Sequence, residues 1–370
     1  MEKNELGSLI VYLVMMALIF IVCQTVITLA IANINVGNQL LYAVICCVIS
    51  VVVFTIFYEV GHIVGAKIGK YNLIYLNLFG LCLLKKEEKW KFRLSFNFEG
   101  LFSESRFAPV KGKKNNPLCF LWGGLVAFIV SVLLCFAIFM INAIPATIRY
   151  GTLIYIGIGL IILLYNIIPM KTDILNDGYR IKLLGSKENA EAYNTFMLIE
   201  DNNRKGIRTE NVQPYDKISP ITIFINNYVY YNYLMDDDYA GAEQIIDNIL
   251  ANSQNLDSRN LYRYKFQKLF FVILNKSIEE ASKYYWDEME SLDRKYLEKD
   301  NYIASRRVYL LVSGIINESY SESKLAIEGM KKRINKMFDK TQAATEMKLY
   351  EMCIKKVSEK LNSEDLINLF

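Results

Sequence analysis

Between Gly7 and Tyr58 the chain carries no charged side chain. That run constrains the fold more than any other feature, because about 20 consecutive apolar residues suffice for a helix to cross the hydrocarbon core of a bilayer. The run holds two spans, with the polar break from Asn33 to Gln39 as the turn between them. Two further charge-free runs follow, Leu118 to Ile148 and Tyr150 to Met170, and beyond Lys171 none is long enough to cross. The expectation is a polytopic α-helical membrane protein with four transmembrane helices, near residues 8–33, 40–65, 118–140 and 150–170. A cleaved signal peptide is the lesser reading of the first. It has one lysine before it, no small-residue cleavage site and too long an apolar stretch.

Basic residues set the expected orientation. The loop between the first two spans has no Lys or Arg, and the loop between the third and fourth has only Arg149. The segment between the second and third runs from Lys67 through Lys85, Lys86, Lys89, Lys91, Arg93 and Arg106 to Lys114. Positive-inside logic puts that segment, both termini and the C-terminal half in the cytoplasm of a multi-pass cell-membrane protein. The net charge of +4 is modest, and the basic cluster lies where topology already requires it, so no nucleic-acid partner is indicated. None of the seven cysteines forms a CxxC pair, which argues against a cysteine-based zinc site or a disulfide framework.

Within the basic segment the pattern changes period. Tyr71 to Gly80 alternates roughly, and Lys89 to Phe98 alternates strictly between basic or polar and apolar residues. Period two argues strands, so a small membrane-associated β hairpin or sheet is expected, its basic side suited to anionic lipid headgroups. After Gly185 the chain becomes rich in charge, tyrosine and asparagine. Apolar residues recur at helical spacing over 240–250, 277–292 and 303–318. The expected division is a transmembrane domain over 1–184 and a cytoplasmic all-α domain over 185–370, suited to binding protein partners. An α-solenoid resembling tetratricopeptide repeats and an irregular helical bundle are both open for that tail.

The chemistry sits in two places. The second span ends in Tyr58-Glu59-Val60-Gly61-His62, with the only histidine of the chain and an ionisable Glu59 where a charge is costly without a partner or a wet cavity. The fourth span ends in Asn166-Ile167-Ile168-Pro169, followed by Asn176-Asp177-Gly178. Residues four apart on a helix share a face, so positions 58 and 62 can point at one centre. With the second and fourth spans both descending to the cytoplasmic side, His62 and Asp177 are expected at one depth.

These two segments resemble the paired motifs of site-2-protease-type intramembrane zinc metalloproteases: an HExxH helix followed by small residues, and an Asn-x-x-Pro segment leading to Asp-Gly. The similarity covers residues 44–184. It implies zinc ligands at His62 and Asp177, a general base at Glu59, and substrate contacts around Asn166, Pro169, Gly123 and Gly124. It also implies membrane-embedded or membrane-proximal peptides as substrates. The chain departs from the pattern twice. Tyr58 stands where the first zinc histidine belongs, and a phenol, with a pKa near 10, is a poor ligand at neutral pH. Two protein ligands then remain where catalytic zinc takes three. In Gly123-Gly124-Leu125-Val126-Ala127, Ala127 stands where the family carries a supporting asparagine.

Each residue also has a plainer reading. Tyr58 anchors the helix at the membrane interface, His62 is an interfacial histidine, Glu59 pairs with Lys67 or a lysine of the basic segment, Asp177 opens an Asp-Gly turn, and Asn166 with Pro169 breaks the fourth helix. Two functions follow. One is a zinc protease with Glu59 as base and Tyr58 as an unusual ligand or oxyanion donor. The other is a pseudoprotease that binds a peptide or membrane-protein partner, with zinc held weakly or not at all. A transporter component is a third reading, disfavoured by the lack of an internal repeat.

Overall fold

The computed structural model describes residues 3–34, 37–86, 89–94, 103–169, 176–256, 258–337 and 339–370. The chain divides into two compact units, Met1–Met197 and Leu198–Phe370.

The first unit opens with two long helices, α1 (Lys3–Ala32) and α2 (Gln39–Ile68), the latter capped by the Asn38 side chain accepting from the Leu41 amide. A sheet follows, then α3 (Leu118–Met140) and α4 (Ala146–Ile167), then the short α5 (Asp177–Leu183) and the first part of α6 (Lys187–Arg204), which continues into the second unit from Leu198. Among the described residues, α2, α3 and α4 are long and apolar enough to cross a membrane. Their outward faces show Leu40, Val48, Val64, Val126 and Leu133 half or more exposed. Such a continuous apolar surface is rare on a water-soluble monomer and suits contact with lipid tails. The fourth helix begins earlier than the charge-free run, because Arg149 is accommodated in its first turns. The Arg149 guanidinium donates to the Phe139 carbonyl over 2.9 Å and lies over the Phe139 ring.

The sheet has four antiparallel strands, β1 (Tyr71–Leu78), β2 (Leu81–Lys86), β3 (Lys89–Leu94) and β4 (Ser103–Pro109), in the order β3-β2-β1-β4. The alternating segments expected as strands are β1 and β3; residues 95–98 of the second lie outside the described residues. Phe79 and Gly80 both take positive φ, as a two-residue hairpin turn demands. The turn sets Leu78 opposite Leu81, and the Asn77 side chain accepts from the Gly80 amide. On the other side β4 pairs with β1, placing Ser103 at the Leu78 end.

The second unit is all helical: α7 (Thr222–Met235), α8 (Tyr239–Ala251), α9 (Ser258–Asn275), α10 (Ile278–Lys283) and α11 (Ser291–Lys299). It continues through α12 (Ile303–Leu311), α13 (Tyr320–Ile327), α14 (Met330–Asn335), α15 (Lys340–Leu361) and α16 (Asp365–Asn368). The helix expected over 277–292 begins at a Ser277–Glu280 capping box, widens into a π-turn at Tyr284–Glu288 and breaks before α11. A second π-turn, Val312–Ile316, ends α12. One apolar core built on Leu234, Ile246, Phe270, Leu310, Tyr350 and Ile354 holds the unit together. Inside it lies a buried ion pair, Arg307 Nε to Glu346 Oε2 at 3.0 Å.

Candidate functional site

The site begins as a helix-packing problem. Gly61, Gly65 and the C-capping Gly69 recur every fourth residue along one face of α2 and its end, and α3 with the residues that lead into it lies directly on that face. A Cβ on Gly61 would come within 2.2 Å of the Gly123 carbonyl oxygen, and one on Gly65 within 2.2 Å of the Cys119 carbonyl oxygen. A Cβ on Gly69 would stand 2.5 Å from the Asn116 carbonyl oxygen. Small residues at this spacing let helix backbones touch. Gly123 reciprocates against Gly61, and Gly124 lies flat under the Tyr58 ring, which a side chain there would displace. The two glycines read as substrate-contacting thus line the α2–α3 seam.

This close approach delivers the Phe120 carbonyl to His62. The His62 Nδ1–H donates to it over 2.6 Å, which fixes the ring and turns Nε2 towards Asp177, whose Oδ2 is 3.4 Å away. The same carboxylate oxygen accepts from the Tyr58 hydroxyl over 2.7 Å. Tyr58 and His62 meet edge to face with ring centres 4.6 Å apart, as positions one helical turn apart allow. Phe54 stacks on the other side of Tyr58, and Phe54, Tyr58, Phe128, Tyr155, Ile162 and Leu163 form the apolar wall behind it.

Asp177 is held by its neighbours in sequence. Asn176 caps α5 by accepting from the Tyr179 amide, while its side-chain NH2 donates to the Tyr165 and Ile168 carbonyls at the end of α4, over 2.8 and 2.6 Å. Gly178 then packs so tightly that a Cβ would overlap the Ile167 carbonyl oxygen at 1.7 Å. Asn-Asp-Gly is therefore a clamp: Asn176 ties the two helices, Gly178 permits the contact, and Asp177 is presented between them. Burial would raise the Asp177 carboxyl, but the His62 imidazole, the Arg180 guanidinium and the Tyr58 hydroxyl outweigh it and hold the group below the ordinary carboxylate range.

Glu59 faces another way. Its Oε1 accepts from the Ser103 hydroxyl at the start of β4 over 2.6 Å, and Oε2, fully buried, has no hydrogen-bond partner among the described residues. Its partner is thus a serine of the sheet and not Lys67. Asn166 is half-buried and Pro169 exposed, and neither is hydrogen-bonded to the Tyr58–His62–Asp177 cluster.

The expected juxtaposition of Tyr58, His62 and Asp177 is present, with Glu59 beside it in the same helix. The donors do not fit a catalytic zinc. Two protein ligands stand where three are needed, the third position is a phenol donating a hydrogen bond to one of those ligands, and Glu59 is turned to Ser103. Among the described residues no three His, Cys, Asp or Glu side chains form a group able to hold a metal ion. Residues that sequence reasoning passed over complete the site. Asn176 has a legible signal, an Asn before Asp-Gly at a helix start, and the glycine ladder has another. Ser103 and the Phe120 carbonyl have none.

Comparison of the chain with protein families, with curated proteins and with solved structures finds no match in any of the three.

Proposed function

We propose that the chain is a four-span membrane protein with a site-2-protease-like core, both termini cytoplasmic, acting as a pseudoprotease: it binds a membrane-embedded or membrane-proximal peptide or protein without cleaving it. One observation carries this reading. The Tyr58 hydroxyl donates to Asp177 Oδ2 over 2.7 Å and the His62 Nε2 faces the same oxygen at 3.4 Å, so the aspartate is engaged within the cluster. In an active relative of this design, a histidine at the tyrosine position and the aspartate would both turn their lone pairs to zinc. Here the phenol donates a hydrogen bond in place of a lone pair, and the closed cluster keeps the α2–α4–α5 geometry without an ion. The orientation rests on the basic segment between α2 and α3, and α1 is read as a span beside α2, α3 and α4. The helical second unit, whether a repeat array or a bundle, offers the docking surface for a partner.

A zinc-protease reading keeps two observations in its favour. The His62 Nδ1–H is given to a backbone carbonyl, the arrangement that commonly orients a metal-binding imidazole. Glu59 also retains a buried carboxylate oxygen without a partner. The experiment that separates the readings is a cleavage assay in reconstituted vesicles with added zinc, using a set of fluorogenic membrane-embedded peptides. The pseudoprotease reading expects no cleavage above background by the natural sequence. Turnover that disappears in a Glu59→Gln variant would replace it with the active enzyme.

A further inference from the structure

The second unit carries a basic hollow that the Tyr58 site does not use. The chain enters α14 through Gly329 in the left-handed conformation, φ 73°. Met330 and Ile334, four apart, are buried in the core, at 2% and 0% exposure. That anchoring turns Lys331, Lys332 and Lys336 outward, and all three are exposed. Together with Gly329, Asn335 and Leu369 they line an open hollow of about 530 Å³.

The lining holds three ammonium groups and no carboxylate. Glu328, next to Gly329, is exposed, while other charges of the surrounding segments are engaged elsewhere. Arg333 donates to the Asn301 carbonyl, Asp365 accepts from Tyr320 and Ser363, and Glu318 pairs with Lys360 at 2.7 Å. Lys331 lies 5.5 Å from the centre of the Phe370 ring, which itself stacks on Tyr350. Like charges gathered at one hollow repel one another, and a surface rich in phosphate relieves that repulsion. The half-exposed Leu369 adds an apolar contact at the rim.

We propose that this hollow docks the second unit onto anionic phospholipid headgroups. The chain itself argues for a bilayer as the occupant. Among the described residues three helices are long and apolar enough to cross a membrane, so the lysines are tethered near one, and tethering raises their effective concentration at its surface. Each lysine near an anionic bilayer shifts binding about fivefold, and three together on the order of 100-fold. The proposal rests on the membrane reading of the first unit and is independent of whether the Tyr58 site holds zinc.

The test uses the full chain in nanodiscs of phosphatidylcholine alone or with phosphatidylserine, with amine modification followed residue by residue by mass spectrometry. Docking is expected to slow modification of Lys331, Lys332 and Lys336 at least about fivefold in the anionic discs relative to Lys299. Slowing should vanish at high salt, where the Debye length shrinks to about 3 Å. In a Lys331→Gln, Lys332→Gln variant the remaining Lys336 should be modified equally in both discs. Far-ultraviolet circular dichroism confirms that the variant folds, since the substituted side chains are exposed. Equal modification of the three lysines in both kinds of disc overturns the proposal. Slowing produced by inorganic phosphate in neutral discs, without any effect of phosphatidylserine, also overturns it in favour of a soluble phosphate ligand.

Discussion

At the scale of single residues, the difference between a histidine and a tyrosine at position 58 decides what the site can do. A histidine offers a lone pair to a metal; the Tyr58 hydroxyl donates a hydrogen bond, and Asp177 accepts it. The clamp that presents Asp177 is equally local. Replacing Asn176 with alanine removes the cap of α5 and both bonds to the end of α4. The cap alone is worth about 1 kcal/mol. Asn176→Ala should therefore lower the thermal midpoint of the purified protein by several degrees, with Asn189→Ala, which removes a bond to the Leu183 carbonyl but no link to α4, having a smaller effect. Much of this site is legible in the chain. The spacing of Tyr58 and His62, the lone imidazole and the Asp-Gly at the end of a span are all visible in one dimension. Ser103 is not, because a strand register brings it to Glu59 across 44 residues, and no local pattern encodes that distance.

At the scale of elements, the first unit is organised by the α2–α3 seam. Gly61, Gly65 and Gly69 leave no room for a methyl group. Forcing one in displaces a backbone carbonyl, a kind of overpacking that typically costs 1–3 kcal/mol. Gly65→Ala should thus destabilise the protein and shift the His62 ring, whose anchor is a carbonyl of α3. Gly37→Ala, where nothing lies within 4 Å of the added carbon, should be close to neutral. Thermal melts in detergent compare the two, and an equal response would argue against the close-packed seam. Helix existence and type were readable here from charge-free runs, while helix ends were not. Helix α4 starts before Arg149 because that guanidinium finds a carbonyl and a ring beside it, a tertiary accommodation that composition does not announce. The sheet shows the same limit: β1 and β3 alternate, whereas β2, reading Leu-Cys-Leu-Leu-Lys-Lys, is fixed by the turn at Phe79-Gly80 and the register that follows.

At the scale of the whole molecule, the two units draw stability from different sources. The second depends on a water-excluded core with charges inside it. Arg307 and Glu346 are both fully buried, and the network extends to Tyr231 through Glu346 and to Tyr230 through Gln267. Removing one partner leaves the other charged and unpaired, so Glu346→Ala should destabilise this unit by about 3–5 kcal/mol, measured by denaturant unfolding followed through its many tyrosines. The unit should also be acid-sensitive. Burial raises Asp201, but hydrogen bonds from Lys205 and Arg204 bring it below the ordinary carboxylate range; Asp300 follows the same logic with Arg263 and Ser305. A carboxyl lowered in the folded state contributes stability that is fully present above its unfolded pKa of about 3.9 and fades as pH falls through the folded value. Melting of the second unit should be insensitive to these groups down to about pH 5 and fall below about pH 4, with a shallower fall in Asp201→Asn.

These scales meet in the question of whether Tyr58 has closed the metal site. Zinc stoichiometry, measured by elemental mass spectrometry on the protein purified in the presence of zinc, asks it directly. The expected result is well under one ion per chain for the natural sequence and about one for Tyr58→His, where three protein donors are restored. About one tightly held zinc in the natural sequence, lost in His62→Ala, would contradict it.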